Sequence, residues 1–150
     1  MSLKLKTQKR QAEIMFSDGH SIDGHFFISP SPKGLSGSEN VIEILNDDRF
    51  YIPFEIAEGE ISLLQKGSIS MVRMAMSEMP KDLPYLSRTS TKIFLLSGDI
   101  LEGHVFNDLP KTRTRLSDFL NFSKRSFFIE VDEQDILVNT KFVKMVTPGI

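Results

Sequence analysis

The chain has no cysteine. That excludes a disulfide framework, a thiolate zinc site and a thiol nucleophile, and it is compatible with a reducing compartment, the cytoplasm being our expectation. No apolar run approaches the roughly 20 residues needed to cross a bilayer, so no membrane span is expected. Met1 to Arg10 is basic and polar with no apolar stretch behind it, which is not the pattern of a secretory leader. Neither sign of charge dominates. The 18 bases and 20 acids leave a net charge of −2, unlike the strongly basic balance of a dedicated nucleic-acid binder. Catalytic signatures are missing as well: there is no nucleophile motif, no phosphate-binding glycine loop after a strand and no HExxH-like helix. We therefore expect a non-enzymatic protein with no catalytic residue, no metal and no cofactor.

What the chain does have is an internal repeat. Gly19 to Gly24 followed by His25-Phe26-Phe27 returns as Gly98 to Gly103 followed by His104-Val105-Phe106. Ile14, Phe16 and Ile22 fall opposite Ile93, Leu95 and Leu101 in the same shift. Further on, Leu45-Asn46 matches Leu120-Asn121, Phe50-Tyr51-Ile52 matches Phe127-Phe128-Ile129, and Ile69 to Val72 matches Val143 to Val146. A repeat constrains architecture before any single residue is interpreted. It implies two units, 11–73 and 90–148, joined by a connector at 74–89 that carries Pro80 and Pro84. Units of about 60 residues are marginal alone and gain by packing on one another.

Both units read as mostly β, because short segments rich in Ile, Val and Phe alternate with Gly, Asp, Ser and Asn. In the second unit strands are expected at Lys92–Leu96, Ile100–Asn107, Leu116–Asn121, Ser126–Val131 and Ile136–Asn139. A helical turn at Thr140–Phe142 and a closing segment at Val143–Val146 follow. Ser97-Gly98-Asp99 is the first hairpin turn, and Gly24 and Gly103 mark sharp bends in the second strands. Five short strands in so few residues bury a face by curling, so we expect two consecutive, strongly bent five-stranded barrels.

A first strand, a glycine turn, a bent second strand with its own glycine, and then an apolar residue before asparagine resembles the Sm-like family, whose domains are small SH3-like barrels. The resemblance places Phe119, Leu120 and Asn121 on that family's aromatic, aliphatic and asparagine positions, and Ile44, Leu45 and Asn46 on the same positions of the first unit. Where the family commonly has an arginine-glycine pair, this chain has Asn139-Thr140 and Gln65-Lys66. The resemblance implies ring-like assembly through strand edges and, as an alternative, single-stranded RNA binding.

The candidate RNA-binding residues are Phe119, Asn121, Asn46, Lys111, Arg113, Arg115, Lys124 and Arg125. Phe119 could stack a nucleobase and the basic side chains could neutralise phosphate. The candidate interface residues are Phe50, Tyr51, Phe54, Phe127 and Phe128, since adjacent aromatics on a strand occupy both of its faces. His25 and His104 lack a ligand cluster and read as strand histidines facing solvent, and His20 as a turn residue. The expected function is a binding or assembly module acting through protein–protein contacts, as a homo-oligomer or with another protein. Small-ligand or nucleotide sensing between the two units is a further alternative.

Overall fold

The glycines at 19 and 98 each close a tight turn with positive φ, 93° and 95°, a region that strains any residue bearing a Cβ. The same bonds hold both turns. Phe16 N–H donates to His20 O at 2.8 Å and Gly19 N–H to Phe16 O at 3.0 Å. Leu95 N–H donates to Asp99 O at 2.9 Å and Gly98 N–H to Leu95 O at 3.0 Å. These hairpins belong to a computed structural model that describes residues 8–29, 40–78, 87–107, 116–122 and 125–149. Its first half runs β1 (Gln8–Phe16), β2 (Ser21–Ile28), α1 (Val41–Asn46), β3 (Tyr51–Ala57), β4 (Glu60–Gln65), a 3-10 turn (Lys66–Ser68) and β5 (Ile69–Met74). The second runs β6 (Ser87–Leu95), β7 (Ile100–Asn107), α2 (Leu116–Phe122), β8 (Ser126–Val131), β9 (Gln134–Asn139), a further 3-10 turn (Thr140–Phe142) and β10 (Val143–Pro148).

All ten strands join one antiparallel sheet in the order β10-β6-β7-β8-β9-β5-β1-β2-β3-β4. The sheet is open, with β10 and β4 as its outer edges, and no strand pairing among the described residues closes either half into a barrel of its own. The five-strand order is the same in both halves. So are the registers: Ile14 faces Val72 and Ile93 faces Val146, and each of these ladders carries an irregularity at the next turn, at Met15/Phe16 and at Val143/Met145. The halves meet where β5 pairs β9, with Met71, Val72 and Arg73 opposite Val138, Leu137 and Ile136.

Gly24 and Gly103 sit where the second strand of each half crosses the third at close range. A Cβ on Gly24 would lie 2.0 Å from Glu55 O, and one on Gly103 would lie 1.9 Å from Glu130 O. His25 then pairs with Glu55 and His104 with Glu130. These pairings correct the aromatic match made from sequence. Ser126 to Glu130 stands opposite Tyr51 to Glu55, so Phe127 and Ile129 correspond to Ile52 and Phe54, two residues away from the alignment of Phe50–Ile52 with Phe127–Ile129.

The segment expected as a strand at Leu116–Asn121 is helix α2, and Leu45-Asn46 ends helix α1. The reason is periodicity. Leu116, Phe119 and Leu120 stand at i, i+3 and i+4 and pack together on the second core cluster, while Val41, Ile44 and Leu45 repeat that spacing on the first. Asn40 N–H donates to Glu43 Oε1 at 3.3 Å, and Val41 N–H to Glu78 Oε1 at 2.9 Å, so the first turn of α1 has acceptors.

Two clusters form the core, and they exchange residues at the seam. Phe128 and Leu137 of the second half are buried in the first cluster, whereas Met71 of the first half is buried in the second. Phe26 and Phe54 meet edge-to-face inside the first cluster, with ring centroids 5.0 Å apart.

Candidate functional site

The seam between the halves opens on one side into a cavity of about 510 Å3. Its floor is apolar, formed by Leu45, Ile69, Val72 and Leu137. Its rim comes from four places: the corner between α1 and β3, both 3-10 turns, and the start of β8. Among the described residues, the ionisable side chains that line it are all cationic: Arg49, Lys66, Arg125 and Lys141. Phe50 stands on the same rim with 79% of its surface exposed.

Asp47, next to this rim, holds two of those cations. Arg49 Nη2 lies 2.7 Å from Asp47 Oδ2, and Lys66 Nζ reaches both the carboxylate and, at 2.9 Å, the backbone carbonyl of the same residue. Partial burial pushes the Asp47 carboxyl up, but hydrogen bonds from Arg49 and Lys66 outweigh it and hold the group at about 2. Lys66 is itself buried, so its charge is compensated by this carboxylate rather than by water. Arg125 donates to Asp47 O and lies 3.7 Å from Asp48 Oδ1. Lys141 makes no ion pair among the described residues; its ammonium lies over the Phe142 ring, 5.5 Å from the centroid.

The residues singled out from sequence fall in different places. Lys111, Arg113, Arg115 and Lys124 lie outside the described residues. Phe119 is half-buried and packs edge-to-face on Phe127 at 6.3 Å, so it serves the core. Asn121 is exposed and donates to Ser117 O of its own helix at 2.9 Å. Asn46 bridges the halves: Ser126 N–H donates to its Oδ1 at 2.9 Å, and its Nδ2 donates to Ser126 O at 3.4 Å. Phe119 and Asn121 are thus taken up in the core and within α2, while Asn46 sits beside Arg125 with its amide spent on the Ser126 backbone. Arg125 instead joins Arg49, Lys66 and Lys141, which the sequence reading passed over.

Among the interface candidates, Phe54, Phe127 and Phe128 are buried within the chain, and Phe128 does so across the seam. Phe50 and Tyr51 are exposed. Part of the exposed apolar surface lies at the open edges, while Phe50 and Met76 are exposed away from them. Ile61 and Leu63 project from β4 and Tyr51 from the neighbouring β3. At the other end Met145 of β10 stands in register with Phe94 of β6, which pairs Ile100 of β7, and both Met145 and Ile100 are exposed. Leu63 and Met145 correspond to Leu137 and Met71 at the seam. Those two are 1% and 5% exposed, whereas Leu63 and Met145 are 68% and 48% exposed.

Each half also carries a buried glutamate beside its strand histidine. Lys9 Nζ contacts both oxygens of Glu55 at 3.1 Å, and Arg88 Nη2 contacts Glu130 Oε1 at 2.7 Å. The hydrogen bond from Lys9 holds the Glu55 carboxyl below its ordinary value. These cation–carboxylate pairs occupy the same register in the two halves, which marks them as parts of the scaffold. His20 is exposed in its turn, and its bond to Asp18 raises its pKa. No helix among the described residues is long and apolar enough to cross a membrane.

Comparison with known proteins finds no matching family model, no matching curated protein and no matching solved structure.

Proposed function

We propose that the protein is a non-enzymatic assembly module, made of two Sm-like halves that arose by duplication and curl as small barrels fused at a shared seam. Its working surfaces are the two open sheet edges. One observation carries this reading: Leu137 and Met71 are covered at the internal seam, while their counterparts Leu63 and Met145 lie bare at opposite ends of the same sheet. Such edges offer unpaired backbone donors and acceptors to another strand. The two edges are unlike, so β10 of one copy would accept β4 of the next, with Met145 opposite Leu64 and Val146 opposite Leu63, as Met71 stands opposite Val138 within the chain. That is a head-to-tail contact, which builds closed rings or open chains.

Covering Leu63 and Met145 would contribute about 1.5–3 kcal/mol for each side chain. The new junction would not copy the seam in full, because Pro53 stands in β3 where Phe128 stands in β8. Light scattering across a concentration series tests the reading. The expected result is a multiple of the 17.0 kDa chain mass that falls to the monomer in Leu63→Lys. A wild-type monomer at every concentration would overturn it.

A further inference from the structure

We propose that the seam cavity binds a nucleoside phosphate, with the phosphate among Arg49, Lys66, Arg125 and Lys141 and the base against Phe50. The site lies within one chain, so it stands whether or not copies associate. Charge argues for the phosphate. Among the described residues four cations line the cavity and no acid does, in a protein whose net charge is −2. Asp47 and Asp48 offset two of these positive charges from outside the lining. The surplus of two matches the charge of about −1.5 to −2 on a phosphate monoester at neutral pH. Lys141, with no carboxylate on it among the described residues, is the group most ready to take it.

Shape argues for the rest of the ligand. A cavity of about 510 Å3 suits a small molecule rather than a bare ion. Its apolar floor favours a ligand with an apolar part. Phe50 offers an aromatic face at the rim, and bases stack on such faces with little regard to sequence. Geometry also favours a mononucleotide over a strand of RNA. The cations surround one cavity, and the two residues that would read an RNA base, Phe119 and Asn121, pack on Phe127 and bond within α2.

The symmetry of the halves explains how such a site arises. Both 3-10 turns reach the seam, one bringing Lys66 and Gly67 and the other Thr140 and Lys141. Gly67 of one turn and Lys141 of the other meet across the seam: a Cβ on Gly67 would lie in ordinary contact, 3.7 Å from Lys141 Nζ. Neither half alone would assemble the four cations.

Isothermal titration of the full chain at low salt tests the proposal, with uridine and adenosine 5′-monophosphates, inorganic phosphate, the two nucleosides and a short single-stranded RNA as probes. The monophosphates are expected to bind, inorganic phosphate to bind more weakly, and the nucleosides not to bind. Lys141→Glu should weaken the monophosphates at least tenfold, with Lys141→Gln intermediate. Phe50→Ala should weaken them about tenfold while leaving inorganic phosphate unchanged. Both side chains lie outside the core clusters, so the variants should melt with the wild type. No binding of the monophosphates, binding that both variants leave intact, or binding of the RNA alone would each overturn it.

Discussion

Alanine at Gly103 tests the close strand crossing, because two effects compete and the structure decides the sign. Within an extended strand, alanine ordinarily gains about 0.5–1 kcal/mol over glycine, since less backbone freedom is lost on folding. At Gly103 a Cβ would lie 1.9 Å from Glu130 O, 2.8 Å from Glu130 C and 3.1 Å from Val131 Cγ2. The nearest atom is backbone, so no side-chain rotation relieves the overlap, and β7 must move from β8 by roughly 1.5 Å to restore ordinary contact. The β7–β8 ladder rests on His104 opposite Glu130, so that shift would remove its hydrogen bonding. About 1 kcal/mol for each lost bond and 1–3 kcal/mol for overpacking outweigh the entropy gain and leave a net loss of about 2–4 kcal/mol. The melting point should fall by roughly 5–15 °C. Gly24→Ala should behave alike, because its Cβ would meet Glu55 O at 2.0 Å and the Phe54 ring at 2.6 Å. Gly19→Ala is the contrast: nothing lies within 4 Å there, so only the positive φ costs, about 1–2 kcal/mol. Urea unfolding followed by circular dichroism gives the three values. Stabilisation by Gly103→Ala or Gly24→Ala would refute the crossing.

Further outcomes follow from the seam. Phe128→Ala should cost about 3–4 kcal/mol and lower a single unfolding transition, because this β8 side chain is buried in the first half's core; two separate transitions in the wild type would contradict the exchange. Asp47 has a depressed folded pKa of about 2, so its contribution is present above the ordinary value of 3.8 and is lost as pH falls towards 2. Its carboxylate is 34% exposed, so solvent screening reduces the effect to about 1 kcal/mol. Asp47→Asn should therefore cost that amount at pH 6 and nothing near pH 2 in urea titrations, and a cost that does not change with pH would contradict the pairing.

Much of this fold was legible because its signals are local. A glycine between two alternating segments marks a hairpin, and Gly19 and Gly98 both close one. The strand bounds from Ile100 onward agree with the structure to within two residues, apart from the helix. That helix was missed although its marks were present. Leu116, Phe119 and Leu120, like Val41, Ile44 and Leu45, have helical spacing, and Asn40 with Glu43 is a start signal of the capping-box kind. In Leu116–Asn121 the apolar residues Leu116, Phe119 and Leu120 suit a strand as well as a helix, and the run is short. Aromatic likeness also misled the match of Phe50 with Phe127, where Glu55 and Glu130 hold the true register.

The site was less legible because it is built from residues far apart in the chain. Arg125 was visible as a base, but Asp47 and Lys66, which define its surroundings, stand in the other half. Asn46 looked like a base-reading residue, whereas its partner is the Ser126 backbone across the seam. The pairing of β5 with β9 and the bonds from the end of α1 to the start of β8 bring these groups together, and no periodicity in the sequence specifies which elements meet there.

The most direct test of the assembly account mixes two blocked chains, Leu63→Asp with its β4 edge disabled and Met145→Asp with its β10 edge disabled. The account predicts that native mass spectrometry finds each variant monomeric alone and a 1:1 dimer on mixing, since one chain keeps the edge the other lacks. Association of either variant with itself, or no complex on mixing, would contradict it.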